Sequence, residues 1–393
     1  MPNKKSILFV NGHLNVGGVE KALVELLSWI DYEVYDVDLL LLQGRGDFED
    51  RIPRTVRIIE YDTRQLEGPF FKVVFNNLVK GNFANVIYRC ILLFSSKYGN
   101  KYLSFLRFIL PSRNHYDAAI AFRPDHCAEI VANSIRSLKK FCWWHHGEIN
   151  LNDDQIYYLD RLWQRFDKVV TVSEGCKRLL LDTFTIPPEK YFVLPNIIDT
   201  ENINYMAGEE SPYGNENRKK FVTLSRLSPE KHLQNAVLVA ASLVKGGVND
   251  FVWYIVGDGE CEQELRQSIL NKGLQDHLVM IGRKVNPYPY LKFADVYVHT
   301  SYIESLGIAV LEAMALRTPV IAVRSIGTSS YIEDRINGFI VERGVDALVE
   351  GINAVLNMDS NKLCSVIDSG SATIEHLCAP QIVMKSFECM VNE

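Results

Sequence analysis

Residues 296–323 read VYVHTSYIESLGIAVLEAMALRTPVIAV. A short apolar run (Val296–His299), a polar loop, a helical period (Gly307–Leu316) and a second short apolar run (Val320–Val323) make one strand–helix–strand unit. Such units build parallel sheets. Moving toward the N-terminus, the alternation continues with strands at Leu278–Ile281, Phe251–Val256 and Phe221–Leu224 and helices at Gln263–Lys272 and Lys231–Lys245. A polar stretch, Asp199–Lys219, with Gly208, Ser211-Pro212 and Gly214, reads as a linker. Before it the pattern is repeated: strands at Ile7–Val10, Val37–Leu42, Val56–Ile59, Ala118–Phe122, Lys140–Trp144 and Val169–Val172, with helices at Val19–Ile30 and Glu174–Leu181. The fold expected is α/β, two doubly wound Rossmann-like domains in tandem. Their ligands belong outside the carboxyl ends of the strands, in the cleft the domains share.

The 393 residues exceed what one core usually holds, and the 47% apolar content suffices for two. A net charge of −6 argues against a nucleic-acid partner. Eight cysteines without CxxC pairs suit a reducing compartment and no zinc site. The apolar run Ser6–Val10 is too short for a signal peptide, and no stretch reaches the length of a spanning helix. A cytoplasmic protein is expected.

Three constellations carry chemistry. In the opening stretch, Glu304 follows a strand and Glu312 lies on the next helix, with seven residues between them. At about 1.5 Å rise per residue, such a pair could bracket an extended ligand. Ser305, Leu306 and Gly307 offer main-chain N–H groups at the helix N-terminus, where anions are stabilised. The alternative is a capped helix with two solvated glutamates. Next, SRLSPEK (Ser225–Lys231) leaves the strand Phe221–Leu224 with Arg226 and Lys231, two cations suited to a diphosphate. Last, NVGGVE (Asn15–Glu20) brings Gly17 and Gly18 to the start of a helix, a weak phosphate signal by itself. Gly257-Asp258-Gly259 lacks the third glycine of a dinucleotide fingerprint, and no P-loop is present.

With SRLSPEK, IVGDGE, NPYPYLKFADVYVHTSYIESLGIAVLEAMA and INGFIV, the C-terminal half resembles the nucleotide-binding domain of family 4 retaining glycosyltransferases. VGGVEKAL, TVSEGCKRLL and LPNIID are similar to that family's N-terminal domain and hinge. The resemblance is closest to bacterial members that build capsules, lipopolysaccharide and other surface glycans. It implies a GT-B fold, with an acceptor-side domain at 1–198 and a nucleotide-sugar domain at 199–379. A C-terminal helix at 380–393 would pack back on the first domain. By the same resemblance, Glu304 would contact the donor sugar and Glu312 the ribose. Arg226 and Lys231 would stabilise the departing diphosphate, and Gly18 would lie against the phosphates. Ser305 through Gly307 would supply N–H groups, and His146 of CWWHHGE would face the donor and acceptor sugars. His145 reads as packed. The family usually has an apolar residue at the place of His299, which therefore reads as structural. Ser330 stands where the family usually carries a glutamate, with Glu333 three residues later, so donor identity is open. No metal or other cofactor is implied. Asp36-Val37-Asp38 resembles a metal-binding DxD but begins a buried strand and is set aside.

The donor implied is a nucleotide sugar with uracil expected as its base, and the acceptor a glycan or lipid-linked glycan. Between Glu67 and Asp117 there is no acidic residue. Lys72, Lys80, Arg89, Lys97, Lys101, Arg107 and Arg113 are interleaved there with ten aromatic residues, among them Phe70, Tyr98 and Phe108. Such a segment, Phe70–Arg113, suits an anionic membrane surface and a peripheral place on the inner face of the plasma membrane. The alternative is a helical hairpin with its apolar residues in the core. Two other functions share the fold: a nucleotide-sugar epimerase and a catalytically silent donor-binding subunit of another transferase.

Overall fold

The computed structural model describes residues 4–98 and 100–393, without the side chains of Tyr98, Asn100 and Lys101. Met1–Asn3 and the side chains of Tyr98 and Lys101, both counted above, lie outside the description. Two parallel sheets organise the chain. The first contains β1 (Lys5–Asn11), β2 (Tyr35–Leu41), β3 (Arg57–Glu60), β4 (Tyr116–Ala121), β5 (Ser137–Trp144), β6 (Lys168–Thr171) and β7 (Tyr191–Val193). Its order is β3-β2-β1-β4-β5-β6-β7. The second contains β8 (Lys219–Leu224), β9 (Phe251–Val256), β10 (Leu278–Gly282), β11 (Val296–His299), β12 (Val320–Val323) and β13 (Phe339–Val341), in the order β10-β9-β8-β11-β12-β13. The central strands are apolar throughout because helices cover both faces: Ile7 to Val10 are wholly buried, as are Tyr297 and Val298.

Each sheet reverses its winding direction between its first and fourth strands, β1 and β4 in one, β8 and β11 in the other. The loops leaving those strands splay apart and form the crevice where doubly wound sheets bind ligands. Arg226 and Lys231 follow β8 and Glu304 follows β11, so the topology brings them to one crevice from 73 positions apart.

The linker reading of Asp199–Lys219 needs correction. It holds the helix Thr200–Ala207, capped by the Asp199 side chain, which accepts from Asn202 N at 2.9 Å. Ile203, Met206 and Ala207 pack on the core at helical spacing. The three-residue strands β7 and β13 were not anticipated. The helix Pro380–Asn392 returns to the first sheet, where Phe387 stacks on Phe9 at 6.3 Å and Asn392 donates to the Tyr35 hydroxyl at 3.0 Å. Asp36 and Asp38 lie in β2, Asp38 fully buried against Arg57, Arg113 and Tyr116. These bonds satisfy both carboxylates and remove Arg113 from the basic face proposed above.

Between β3 and β4 the chain forms helices Phe70–Val79 and Phe83–Tyr98 and a 3-10 segment, Asn100–Phe108. Val73, Tyr88, Ile91, Leu103 and Leu106 point into the core. The opposite side is also apolar: Phe71 is 84% exposed, Phe75 66%, Val79 72%, Phe83 64% and Phe108 72%. A core hairpin therefore accounts for only half of this segment.

Candidate functional site

Glu304 lies at the centre of the crevice. Its Oε1 accepts from Lys231 Nζ at 2.7 Å and pairs with His299 Nε2 at 3.0 Å. Burial by itself would raise the carboxyl, but the hydrogen bond and charge of His299, followed by those of Lys231, outweigh it and bring the pKa down to about 2. Glu304 is thus an ionised acceptor held in place. Its Oε2 takes no hydrogen bond from the described residues. Arg226, on the same rim, is exposed and pairs with Glu230 at 3.3 Å. That surface pair is weak and easily exchanged for an anionic ligand. The loop bearing Arg226 rests on the GDG turn: Gly257 has φ +147°, and a Cβ there would overlap the Ser225 carbonyl. Leu227 N donates to Asp258 O at 2.8 Å. The GDG segment supports the cation loop by packing.

A cavity of about 660 Å³ opens between the domains, lined by Arg226, Lys231, Glu304 and Ser305 on one side and by Asp125, Trp144, His146, Glu148 and Tyr158 on the other. His146 is exposed to it, and the crowding of the two domains, followed by the charge of Arg123, lowers its pKa. His145, beside it in the cavity wall, packs on Phe122 at 4.8 Å; its Nε2 is buried without a partner, and burial brings its pKa down to about 3. Contacts bind the two walls together. Ser173 caps the helix Glu174–Thr183 and donates to Ser305 O at 2.6 Å. Gly147 touches the other wall so closely that a Cβ would stand 2.5 Å from the Glu304 carbonyl carbon.

Glu312 faces elsewhere. It is 2% exposed and borders a second cavity, about 340 Å³, with Lys21, Glu25, Asn196, Asp199 and Tyr288. Lys21, on the helix Gly18–Trp29 of the first domain, forms an ion pair with Glu312, and the Tyr288 hydroxyl bonds the same oxygen at 3.2 Å. Gly17 precedes that helix, and Gly18 opens it, where a Cβ would lie 3.7 Å from Ile308 at the head of the helix Ile308–Ala315. The main-chain N–H groups of Ser305, Leu306 and Gly307 find no acceptor among the described residues. Ser330 turns its hydroxyl to Gly327 O at 2.5 Å, and Glu333 is exposed.

The site therefore unites Arg226, Lys231, Glu304, Ser305 and His146, while Glu312, on the helix Ile308–Ala315, borders the second cavity. Sequence reasoning did not single out Lys21, Asp125, Glu148 and Tyr288: Lys21 and Tyr288 matter through their bonds to Glu312, and Asp125 and Glu148 through the cavity wall they share, neither of which a linear motif displays. His299, read as structural, bonds Glu304 through its ring; a histidine closing an apolar strand just before a functional loop was the available signal for that contact. Among the described residues no three His, Cys, Asp or Glu side chains converge as a metal site requires.

Two facing Rossmann-like domains with cations and a carboxylate at the switch point of the second define a GT-B protein. The model described as Glycosyltransferase Family 4 matches residues 16–202, and that described as Glycosyl transferases group 1 matches 209–370. The chain thus carries a Glycosyltransferase Family 4 domain followed by a Glycosyl transferases group 1 domain. It is 23% identical over 351 residues, 88% of each chain, to N-acetylgalactosamine-N,N'-diacetylbacillosaminyl-diphospho-undecaprenol 4-alpha-N-acetylgalactosaminyltransferase of Campylobacter jejuni. It is 27% identical to UDP-Gal:alpha-D-GlcNAc-diphosphoundecaprenol alpha-1,3-galactosyltransferase of Escherichia coli, over 51% of this chain and 53% of the relative. Against poly(ribitol-phosphate) alpha-N-acetylglucosaminyltransferase of Staphylococcus aureus it is 25% identical, over 50% of this chain and 38% of the relative. The chain thus matches about half the length, or less, of these last two. The Anabaena HepE structure in complex with UDP superposes at TM-score 0.74 with 19% identity, covering 98% of this chain and 99% of that one, a likeness of fold.

Proposed function

We propose that this chain transfers a sugar from a UDP-sugar to a glycan or lipid-linked acceptor in the synthesis of a bacterial surface glycan. The observation that carries this reading is the convergence of Arg226, Lys231 and Glu304 on one interdomain cavity facing His146. The relatives whose names include UDP-galactose and diphosphoundecaprenol, and the UDP bound in the Anabaena structure, support the donor and acceptor classes. Arg226, Lys231 and the N–H groups of Ser305–Gly307 hold the diphosphate, with no metal in the reading. Glu304 accepts from a sugar hydroxyl through its open oxygen, and Glu312 takes the ribose once Lys21 releases it. Configuration is retained: the bond from the anomeric carbon to phosphate breaks, the bond to the acceptor oxygen forms on the same face, and the acceptor proton passes to the leaving phosphate. The protein supplies position and charge.

A peripheral place on the inner membrane face belongs to this reading. No helix among the described residues is long and apolar enough to cross a membrane. The exposed apolar side of residues 70–108, flanked by Lys72, Lys80, Lys97 and Arg107, suits an anionic bilayer and so a lipid-linked acceptor.

Release of UDP from UDP-glucose, UDP-galactose or UDP-N-acetylglucosamine tests the reading. The wild type should turn over one of them, and Glu304→Gln should lower turnover about 100-fold. Turnover of none by the wild type would contradict it.

A further inference from the structure

We infer that His299 is a positioning residue for the donor-sugar carboxylate: it holds Glu304 with one oxygen open to the sugar while Lys231 turns to the diphosphate. The inference rests on the donor-site reading above and adds to it a residue that the family pattern does not require.

His299 is the last residue of β11, and its side chain is 5% exposed. A buried imidazole carries two polar nitrogens that must be satisfied, so an apolar residue would fill the same space at less cost. Here both nitrogens are used, and each points along one line. Nδ1 meets the Tyr297 hydroxyl at 3.1 Å, and Nε2 meets Glu304 Oε1 at 3.0 Å. Tyr297 and His299 are two positions apart on one strand, so they share a face, and their rings lie 6.0 Å apart. The Tyr297 hydroxyl is itself near Leu224 O, at 3.4 Å, at the end of β8. When Nδ1 carries hydrogen, the hydroxyl accepts from the ring and donates to Leu224 O, so the relay runs from β8 to the loop after β11; when Nδ1 is bare, the hydroxyl's one hydrogen goes to the ring. The relay's direction toward Glu304 does not depend on protonation: the neutral ring with hydrogen on Nε2 and the imidazolium both donate to Oε1.

Lys231 and His299 bond the same oxygen, Oε1, and Oε2 has no partner among the described residues. If Lys231 swings to a diphosphate, the buried Glu304 keeps a donor only because His299 stays. The histidine cannot follow, because it closes a strand paired to β12 at His299–Ala322. The loop after it is tied as well: Thr300 Oγ1 donates to Lys231 O at 2.9 Å. A fixed ring thus sets the carboxylate angle throughout the exchange, a second group of the kind on which precise sites depend.

The test compares wild type, His299→Leu and His299→Gln in three measurements: melting temperature, affinity for UDP, and steady-state kinetics with the UDP-sugar that the wild type uses. Gln keeps an N–H near the position of Nε2, and Leu keeps only volume. UDP lacks the sugar, so its affinity should stay within about twofold in all three proteins. His299→Leu should lose about tenfold in kcat/KM for the UDP-sugar, the order expected for one hydrogen bond to a charged group, and His299→Gln should recover most of it. Unchanged kinetics in His299→Leu overturns the inference. Equal weakening of UDP and UDP-sugar, without rescue by Gln, also overturns it and leaves a packing role. If His299→Leu does not fold, Tyr297→Phe replaces it: a selective fall in UDP-sugar kinetics supports the relay, and no change refutes it. A wild type that turns over no UDP-sugar removes the donor reading itself, and the role of His299 with it.

Discussion

Glu304 is a carboxylate that the fold has taken from water and then held ionised with two partners. Its pKa in the folded chain is about 2, below the 4.5 of a free glutamate. A group depressed in this way stabilises the fold above about pH 4.5 and loses that contribution as pH falls toward 2. The full contribution is on the order of 3 kcal/mol. Urea unfolding of wild type and Glu304→Gln between pH 6 and pH 2.5 should show the wild type losing more stability, and parallel profiles would contradict the assignment. At this scale the sequence was half legible. The spacing of Glu304 and Glu312 and the cations of SRLSPEK could be read because each pair sits within one short motif. That Glu312 is covered by Lys21 could not, because the pair joins positions 291 apart. Nor could the bond from His299 to Glu304, which depends on the turn that β11 makes into its loop.

Among the elements, the long central strands announced themselves through continuous burial on both faces. β7 and β13 did not, because three residues at a sheet edge carry too little apolar pattern to stand out. The helix Thr200–Ala207 hid in a polar stretch because only three of its positions reach the core. Two elements carry predictions. The loop after β5 meets the loop after β11 at Gly147, so Gly147→Ala should force the walls of the cleft apart. Turnover of the UDP-sugar should fall at least tenfold while the melting temperature moves little, and normal turnover would show that this contact is dispensable. The helices Phe70–Val79 and Phe83–Tyr98 should carry membrane affinity. Phe71→Ser with Phe75→Ser, or Lys72→Glu with Lys80→Glu, should abolish sedimentation with vesicles of phosphatidylglycerol and phosphatidylethanolamine. All four positions are exposed, so folding should be retained, and unchanged sedimentation would sink the membrane reading.

Across the whole molecule, two sheets with the same winding order place their switch points face to face. The helix Pro380–Asn392 then links the end of the chain to the first sheet. That architecture was expected because alternation of strand and helix reads directly from apolar periods; the closure of the cleft by Ser173, Gly147 and Lys21 emerges only in three dimensions. On the function proposed above, this cleft binds a nucleotide-diphosphate sugar. A ligand that binds only the folded chain stabilises it by about 2.7 kcal/mol at a hundred times its Kd, a shift of a few degrees in a protein of this size. The most direct measurement is therefore the melting temperature with saturating UDP, GDP and their common sugar conjugates, in wild type and Glu312→Ala. A rise of a few degrees is expected with UDP and one UDP-sugar, much reduced in Glu312→Ala. No rise with any nucleotide in the wild type would contradict the proposed function.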